Sequence, residues 1–304
     1  MNIIEELKFK PSEYAQSAID LIRNTQTKLD RQGIVLGLSG GLDSAIITEL
    51  CLRAVGANKI LILILPERDS GKQNIKDAIE FAESLGIRYK KICITPFIKK
   101  FGVYRHFILN WLPVWGKLRD RISRFGYNHY SKVTTSTPFE SSLTGIKDGK
   151  YAKQLRGSNA YYRIKHRIRM LLFYKYAELE NRLVVGAANK SELMTGFFVK
   201  HGCDDACDVM PIINLYKTQV RDLAKHLNIP EHFITKSPSP DIIPGITDEE
   251  AMGIQYDILD KILYLQEQGK SNDEIAKQLT VSLDTVAHVE RLTKKSEHMR
   301  HLYT

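Results

Sequence analysis

Residues 38–44 read Leu38-Ser39-Gly40-Gly41-Leu42-Asp43-Ser44, between an apolar, β-rich run and a helix-forming stretch. These residue types suit a turn that grips phosphate. Two adjacent glycines permit conformations and a closeness of approach that a Cβ would forbid. The amides of the turn and the N-terminus of the following helix then converge on one point, which favours an anion. Ser39 and Ser44 add hydroxyl donors. Asp43 would be repelled by bare phosphates, so its presence implies a bridging Mg²⁺. The spacing is not that of the Walker A loop, because no Gly-Lys-Ser/Thr follows. A Gly-Gly turn alone is commonly structural, and it is the whole string, set between strand and helix, that points to a pyrophosphate site.

A parallel sheet must position this turn. The runs at 33–39, 59–66, 87–96 and 181–188 read as strands. The run KILILILP is apolar throughout, as expected when both sheet faces are buried. Helical spacing marks 12–30, 44–56, 70–86, about 159–180, the stretch after Asn189, and 214–230. Alternating strands and helices predict an α/β fold: a doubly wound parallel sheet with helices on both faces. The alternation breaks between about 97 and 157, where an aromatic-rich piece, a basic piece and a Ser/Thr-rich loop follow one another. A helical C-terminal segment spans about 247–304. With no internal repeat and no long linker, the expectation is one domain over 1–304 carrying an insertion.

The 304 residues are 43% hydrophobic and 26% charged, ordinary for a globular chain. No run approaches the roughly 18–20 apolar residues of a spanning helix, and the N-terminus lacks the pattern of a signal peptide. Four cysteines, Cys51, Cys93, Cys203 and Cys207, do not resemble a secreted disulfide framework, so the expected location is cytoplasmic. The net charge is +9, and one segment accounts for it: residues 99–169 hold 16 Lys/Arg against 3 Asp/Glu. Such a block suits contact with phosphates or is simply a solvated basic face.

The SGGLDS string matches the PP-loop of ATP pyrophosphatases, a Rossmann-like class that cleaves ATP between the α and β phosphates. Further strings narrow the resemblance. LVVGAANKSELMTGFF (183–198) resembles the NAD synthetase segment VVGTGNKSELxxGYF. DVMPIINLYKTQVRDLA (208–224) resembles that family's DxxPIGDLYKTQVxxLA, and RIKHRIRM (163–170) its KARxRM. SPSPDIIPGITDEEAMG resembles PSADLxPGQTDExxLG, and the C-terminal SEHMR resembles SEHKR. The chain thus resembles the ammonia-dependent NAD synthetase family over 1–96 and 158–304.

That resemblance implies a reaction: deamido-NAD, ATP and ammonia give NAD, AMP and pyrophosphate through a carboxyl-adenylate. It implies that Gly37, Leu38, Ser39, Gly40, Gly41, Leu42, Asp43 and Ser44 cradle ATP, with Lys217 and Ser239 facing it. Asp43 and Glu192 become the Mg²⁺ carboxylates, and Asp43, Lys217 and Glu192 the catalytic set. Arg167, Lys200 and Asp208 would contact the dinucleotide acid, Phe197 and Phe198 would stack on flat rings, and His298 would close over it. Arg167 and Arg169 fall two apart on a helix and cannot share one face, and Arg167 is the one assigned to substrate. A two-fold homodimer is implied as well. Glutamine-dependent members of the family carry a nitrilase-like domain that these residues lack, so ammonia, free or from a separate partner, is the implied nitrogen source.

Several departures cluster around the acid substrate. The family's Thr becomes Ala187, its Gly-Asn becomes Tyr162-Arg163, and a lysine becomes Met299. The loop from Lys200 to Asp208 is one residue longer than the family's and holds Cys203 and Cys207. These departures leave room for a related acid in place of deamido-NAD. The two cysteines admit a metal site, a persulfide carrier of the sulfur-transferase kind, or simply two small residues in a binding loop. Rival readings concern the ends of the charge pattern. Aromatics Tyr104, Phe107, Trp111, Trp115, Phe125 and Tyr127 within the basic segment would suit RNA stacking, as in tRNA-modifying relatives of the class. FILNWLPVW beside basic residues would suit an anionic membrane surface. The C-terminal EIAKQLTVSLDTVAHV has a helix-turn-helix look, but the synthetase family ends in the same kind of segment, so DNA is not expected.

Overall fold

The computed structural model describes residues 7, 9–105, 117–236 and 245–301. Helix α1 (Pro11–Lys28) leads into β1 (Gly33–Gly37), α2 (Leu42–Val55), β2 (Ile60–Ile64), α3 (Lys72–Ser84), β3 (Tyr89–Lys91) and α4 (Thr95–Lys100). Next come α5 (Lys117–Thr134) and α6 (Pro138–Ser142), within the stretch where the strand–helix alternation breaks. Then come α7 (Ala152–Leu179), β4 (Arg182–Val185), α8 (Lys190–Thr195), α9 (Lys217–His226) and α10 (Glu231–Ile234). The last elements are α11 (Asp248–Met252), α12 (Tyr256–Glu267), α13 (Asn272–Leu279) and α14 (Leu283–Arg300).

The four described strands run parallel in the order β3-β2-β1-β4. Val35 pairs with Leu61 on one side and Val184 on the other. Because successive side chains alternate faces, Ile34, Leu36, Ile60, Ile62, Ile64, Leu183 and Val185 all enter one core. There they meet Ile22 of α1, Ile46 and Leu50 of α2, Phe81 of α3 and Leu223 of α9. Val35, Leu61, Leu63 and Val184 face the opposite core, closed by Ile98 of α4 and by Tyr161, Ile168, Phe173 and Ala177 of α7. Both faces are therefore covered by helices, which is why these strands read as unbroken apolar runs.

The structure departs from the expected element boundaries for local reasons. The third strand stops at Lys91 rather than Pro96, because Pro96 falls in the first turn of α4, where its missing N–H costs nothing. Part of the Ser/Thr-rich loop is helical: the Thr137 side chain caps α6 by accepting from the Glu140 N–H at 3.0 Å. Helix α7 starts at Ala152, well inside the expected insertion, so one 28-residue element joins the insertion to the sheet. A third core gathers Tyr256, Leu259, Ile262 and Leu263 of α12 with Ile275 of α13 and Val286 and Val289 of α14. The helix-turn-helix-like segment thus spends its apolar faces on packing. No helix among the described residues is long and apolar enough to cross a membrane.

Candidate active site

In the order β3-β2-β1-β4 the connections diverge on either side of β1. Ligands of open α/β sheets bind in the crevice outside the carboxyl ends of the strands at such a point. A cavity of about 950 Å³ lies there. Its floor is the turn 37–44. Gly40 has φ +81°, and a Cβ on it would sit 2.1 Å from the Asn74 carbonyl oxygen of α3, so only glycine lets the turn lie against that helix. Gly41 opens α2 with no side-chain cap, which leaves the first N–H groups of the helix for an anion. Ser44 Oγ donates to the Gly41 carbonyl at 2.9 Å and accepts from the Ser39 N–H at 3.2 Å, holding the turn closed.

Opposite the turn stands a buried charge cluster. Glu192 lies in the first turn of α8, where Asn189 accepts from its N–H at 3.0 Å and Glu192 Oε2 accepts from the Asn189 N–H at 3.4 Å. Lys217 opens α9, and its Nζ lies 2.5 Å from Asp43 Oδ2 and 3.7 Å from Glu192 Oε1. Asp248, only 5% exposed, adds a third carboxylate from the start of α11. Asp260 of α12 pins the arrangement from behind. It accepts from the Thr218 N–H at 2.8 Å and from Ser191 Oγ, which in turn accepts from the Lys217 N–H at 2.9 Å.

Burial and mutual charge move Glu192, Asp248 and Lys217 away from their usual protonation ranges. Burial, reinforced by the Asp43 charge, pushes the Glu192 carboxyl well above the usual carboxylate range. Burial likewise raises Asp248 to about 6, with Lys217 opposing. Burial alone would lower Lys217, but Asp43, Glu192 and Asp248 together hold it above the usual lysine range. Asp43 Oδ1 is buried and has no hydrogen-bond partner among the described residues, an acceptor suited to a cation.

Further cations line the same cavity. Lys236 Nζ donates to the Gly40 carbonyl at 3.1 Å and to Asp77 at 2.8 Å, and Arg163, Arg169 and Arg221 face inward. The opposite wall comes from Tyr127 and Tyr130 of α5, Phe139 of α6, and Leu155 and Tyr162 of α7. Tyr127 is buried and donates to the Ala251 carbonyl at 2.8 Å, and Tyr104 donates to Glu67 at 2.8 Å, so neither stands ready to stack on RNA. Phe125 is 74% exposed; Phe107, Trp111 and Trp115 lie outside the described residues.

Of the expected site residues, Gly37, Leu38, Ser39, Gly40, Gly41, Leu42, Asp43, Ser44, Glu192, Lys217, Phe197 and Phe198 line this one cavity. Phe197 packs edge-on against Phe139 with ring centroids 5.1 Å apart. Ser239 lies outside the described residues. Arg167, Lys200 and His298 come together, but beside the cavity: Arg167 donates to the Lys200 carbonyl at 3.3 Å, and Lys200 Nζ donates to the His298 carbonyl at 2.7 Å. Asp208 is exposed, accepting from the Val184 N–H at 2.8 Å and from Tyr174 Oη at 3.2 Å. On α7 it is Tyr162, Arg163, His166, Arg169 and Phe173 that face the cavity, a stripe at helical spacing from which Arg167 is turned away. Periodicity alone could have found that stripe. Asp248 was visible only as the Asp of TDEE, and Lys236 carried no local signal.

A parallel sheet whose first strand ends in a glycine turn, faced by paired carboxylates and a lysine, defines a nucleotide-activating enzyme of the ATP pyrophosphatase class. The family model described as NAD synthase matches residues 14–107 and 129–303. The NH(3)-dependent NAD(+) synthetase of Thermotoga maritima is 42% identical over 281 residues, spanning 92% of this chain and 95% of that protein. The protein of that name from Methanocaldococcus jannaschii is 37% identical over 290 residues, with 95% of each chain covered. Among solved structures, an NMN synthetase from Francisella tularensis superposes with a TM-score of 0.70 at 27% identity, over 98% of both chains. An NH3-dependent NAD synthetase from Campylobacter jejuni gives 0.67 at 26% identity, over 98% of this chain and 99% of that one. The chain belongs to the NAD synthase family.

Proposed function

We propose that this chain is an ATP-dependent, ammonia-using ligase that converts deamido-NAD to NAD. A carboxylate oxygen of the acid attacks Pα of ATP, pyrophosphate leaves, and an acyl-adenylate remains. Ammonia then attacks the acyl carbon, gives up a proton and expels AMP. The observation that carries this is the convergence, in one cavity, of an uncapped helix N-terminus after a glycine turn with Lys217, Asp43 and Glu192. Amides and lysine placed where charge grows on the phosphates favour the transition state. Holding the acid and ATP together removes most of the entropic barrier. The insertion's wall shields the adenylate from water.

Asp43, with a free buried oxygen, and Glu192 fit a Mg²⁺ ion, which when bound would neutralise charge on the phosphates. Phe197 and Phe198 are the surfaces for a flat ring, and Arg163 and Arg169 the cations for the acid's phosphates. A two-fold homodimer, implied by the resemblance of the sequence, is part of the same reading; light scattering on the purified protein checks it. The likeness to a structure described as an NMN synthetase favours a second acid, the mononucleotide. Turnover of ATP and ammonia with each acid separates the two. The adenylate reading requires AMP and pyrophosphate in equal amounts, and ADP with orthophosphate would overturn it.

A further inference from the structure

Three side chains that the proposed reaction leaves without a task meet on the cavity wall. His166 comes from the inward stripe of α7, and Cys203 and Asp204 from the loop between α8 and α9. His166 Nδ1 lies 2.8 Å from Asp204 Oδ2 and 3.3 Å from Cys203 Sγ, while Cys203 Sγ lies 3.4 Å from Asp204 Oδ1. One donor atom from each side chain falls within 4.8 Å of the others. A tetrahedral ion with bonds of about 2.0–2.3 Å spaces its ligands roughly 3.3–3.8 Å apart. With one atom from each residue inside 4.8 Å of the other two, side-chain adjustment of about 1 Å brings the three to that spacing.

Hydrogen bonding leaves one atom of this group unsatisfied. Nδ1 of His166 lies against both the carboxylate and the sulfur, and the Cys203 thiol donates to Asp204 Oδ1. The other ring nitrogen, Nε2, is buried and has no hydrogen-bond partner among the described residues. A divalent cation would serve all three groups at once. We propose that His166, Cys203 and Asp204 bind a divalent transition ion of the zinc or cobalt type, with a fourth position open to the cavity.

The donor set distinguishes this site from the all-oxygen pair Asp43 and Glu192. Nitrogen and sulfur select borderline ions over Mg²⁺, and three protein ligands leave one place for water or an acidic oxygen of a bound ligand. Cys207 takes no part: its Sγ points to the Asp205 carbonyl at 3.6 Å. The two cysteines of the loop are thus not a pair, and the partner of Cys203 is a histidine 37 residues earlier in the chain.

The test uses the full chain, stripped with chelator and held in excess Mg²⁺, then titrated with Co²⁺. One Co²⁺ per chain with a thiolate-to-cobalt absorption band is expected, and Zn²⁺ should displace it. Cys203→Ser should abolish the band and weaken binding beyond the roughly 10–100-fold that losing an outer-shell support costs. Cys207→Ser should change neither. His166→Asn gives an independent ligand deletion, with circular dichroism confirming the fold of each metal-free variant. Failure to bind Co²⁺ in excess Mg²⁺, or a band that survives in Cys203→Ser, would overturn the proposal. AMP formation is assayed separately, so either outcome leaves the ligase proposal standing on its own test.

Discussion

Gly40→Ala, set against Gly56→Ala, separates backbone strain from collision in the phosphate turn. The two glycines have nearly equal positive φ, +81° and +79°. Positive φ costs an L-residue about 1–3 kcal/mol, and Gly56, with ψ 156°, lies in a region essentially reserved for glycine, so each substitution carries a strain cost of that order. A Cβ at Gly56 meets nothing within 4 Å, whereas at Gly40 it lands 2.1 Å from the Asn74 carbonyl oxygen and 2.8 Å from its carbon. That is roughly 1 Å inside ordinary contact, against backbone that cannot rotate away, so the turn itself must shift. Gly56→Ala should lower Tm by about 2–4 °C and leave turnover intact. Gly40→Ala should cost about 1–3 kcal/mol more and, because a displacement near 1 Å ruins alignment with Pα, lower kcat/KM for ATP about 100-fold. Pyrophosphate release under saturating acid and ammonia measures the rate, and thermal unfolding measures the stability. Gly40→Ala with wild-type kcat/KM for ATP would refute the account of the turn.

Three further outcomes are expected. Lys217→Met removes the only cation that touches Asp43 and Glu192 among the described residues and should reduce AMP formation about 10²–10³-fold, checked by steady-state kinetics on folded protein. Arg169→Ala should weaken acid or ATP binding about 10–100-fold, while Arg167→Ala, turned off the cavity, should leave both binding constants nearly unchanged by calorimetry. Glu140, 2% exposed, accepts from Lys295 at 2.8 Å and Arg291 at 3.3 Å and lies 3.4 Å from His288. Burial alone would raise its carboxyl, but His288 and Lys295 override this and hold it at about 2. A depressed acid stabilises the fold fully above its unfolded value of about 4.3 and loses that contribution as the pH falls toward the folded value. Glu140→Gln should therefore cost about 1–3 kcal/mol at neutral pH and progressively less below about pH 4, as read from urea unfolding at each pH.

The sheet was legible because buried parallel strands are written as continuous apolar runs, and the turn 38–44 because its residue types are constrained in one short stretch. Glu192 and Lys217 were singled out only because the strings around them resemble those of the NAD synthetase family; by local chemistry alone they read as a helix-start carboxylate and a solvated lysine. What stayed hidden depends on distance in the chain. Asp260 reads as one polar residue on an amphipathic helix, yet it holds the start of α9 from 42 residues away. Lys236 touches Gly40 across 196 residues. Arg167 was chosen over its neighbours by motif, and the helix phase that turns Arg163 and Arg169 inward was set by where α7 begins. That start lay concealed because Gly157-Ser158-Asn159 resembles a break, while tertiary packing carries the helix through it.

Helix α7 serves two masters along a single rigid rod. Its first half shapes the compartment above the phosphates, and its second half, through Phe173 and Ala177, is embedded under the strands. Each residue advances an α-helix by about 100°, so deleting one position between 159 and 169 would swing every side chain upstream of it away from the compartment. Length can therefore drift in the largely exposed connection 144–150, but not within the helix that follows. Reshaping the chamber by evolution or by design must proceed through exchange of side chains along this rod, with changes of length confined to the segment that precedes it.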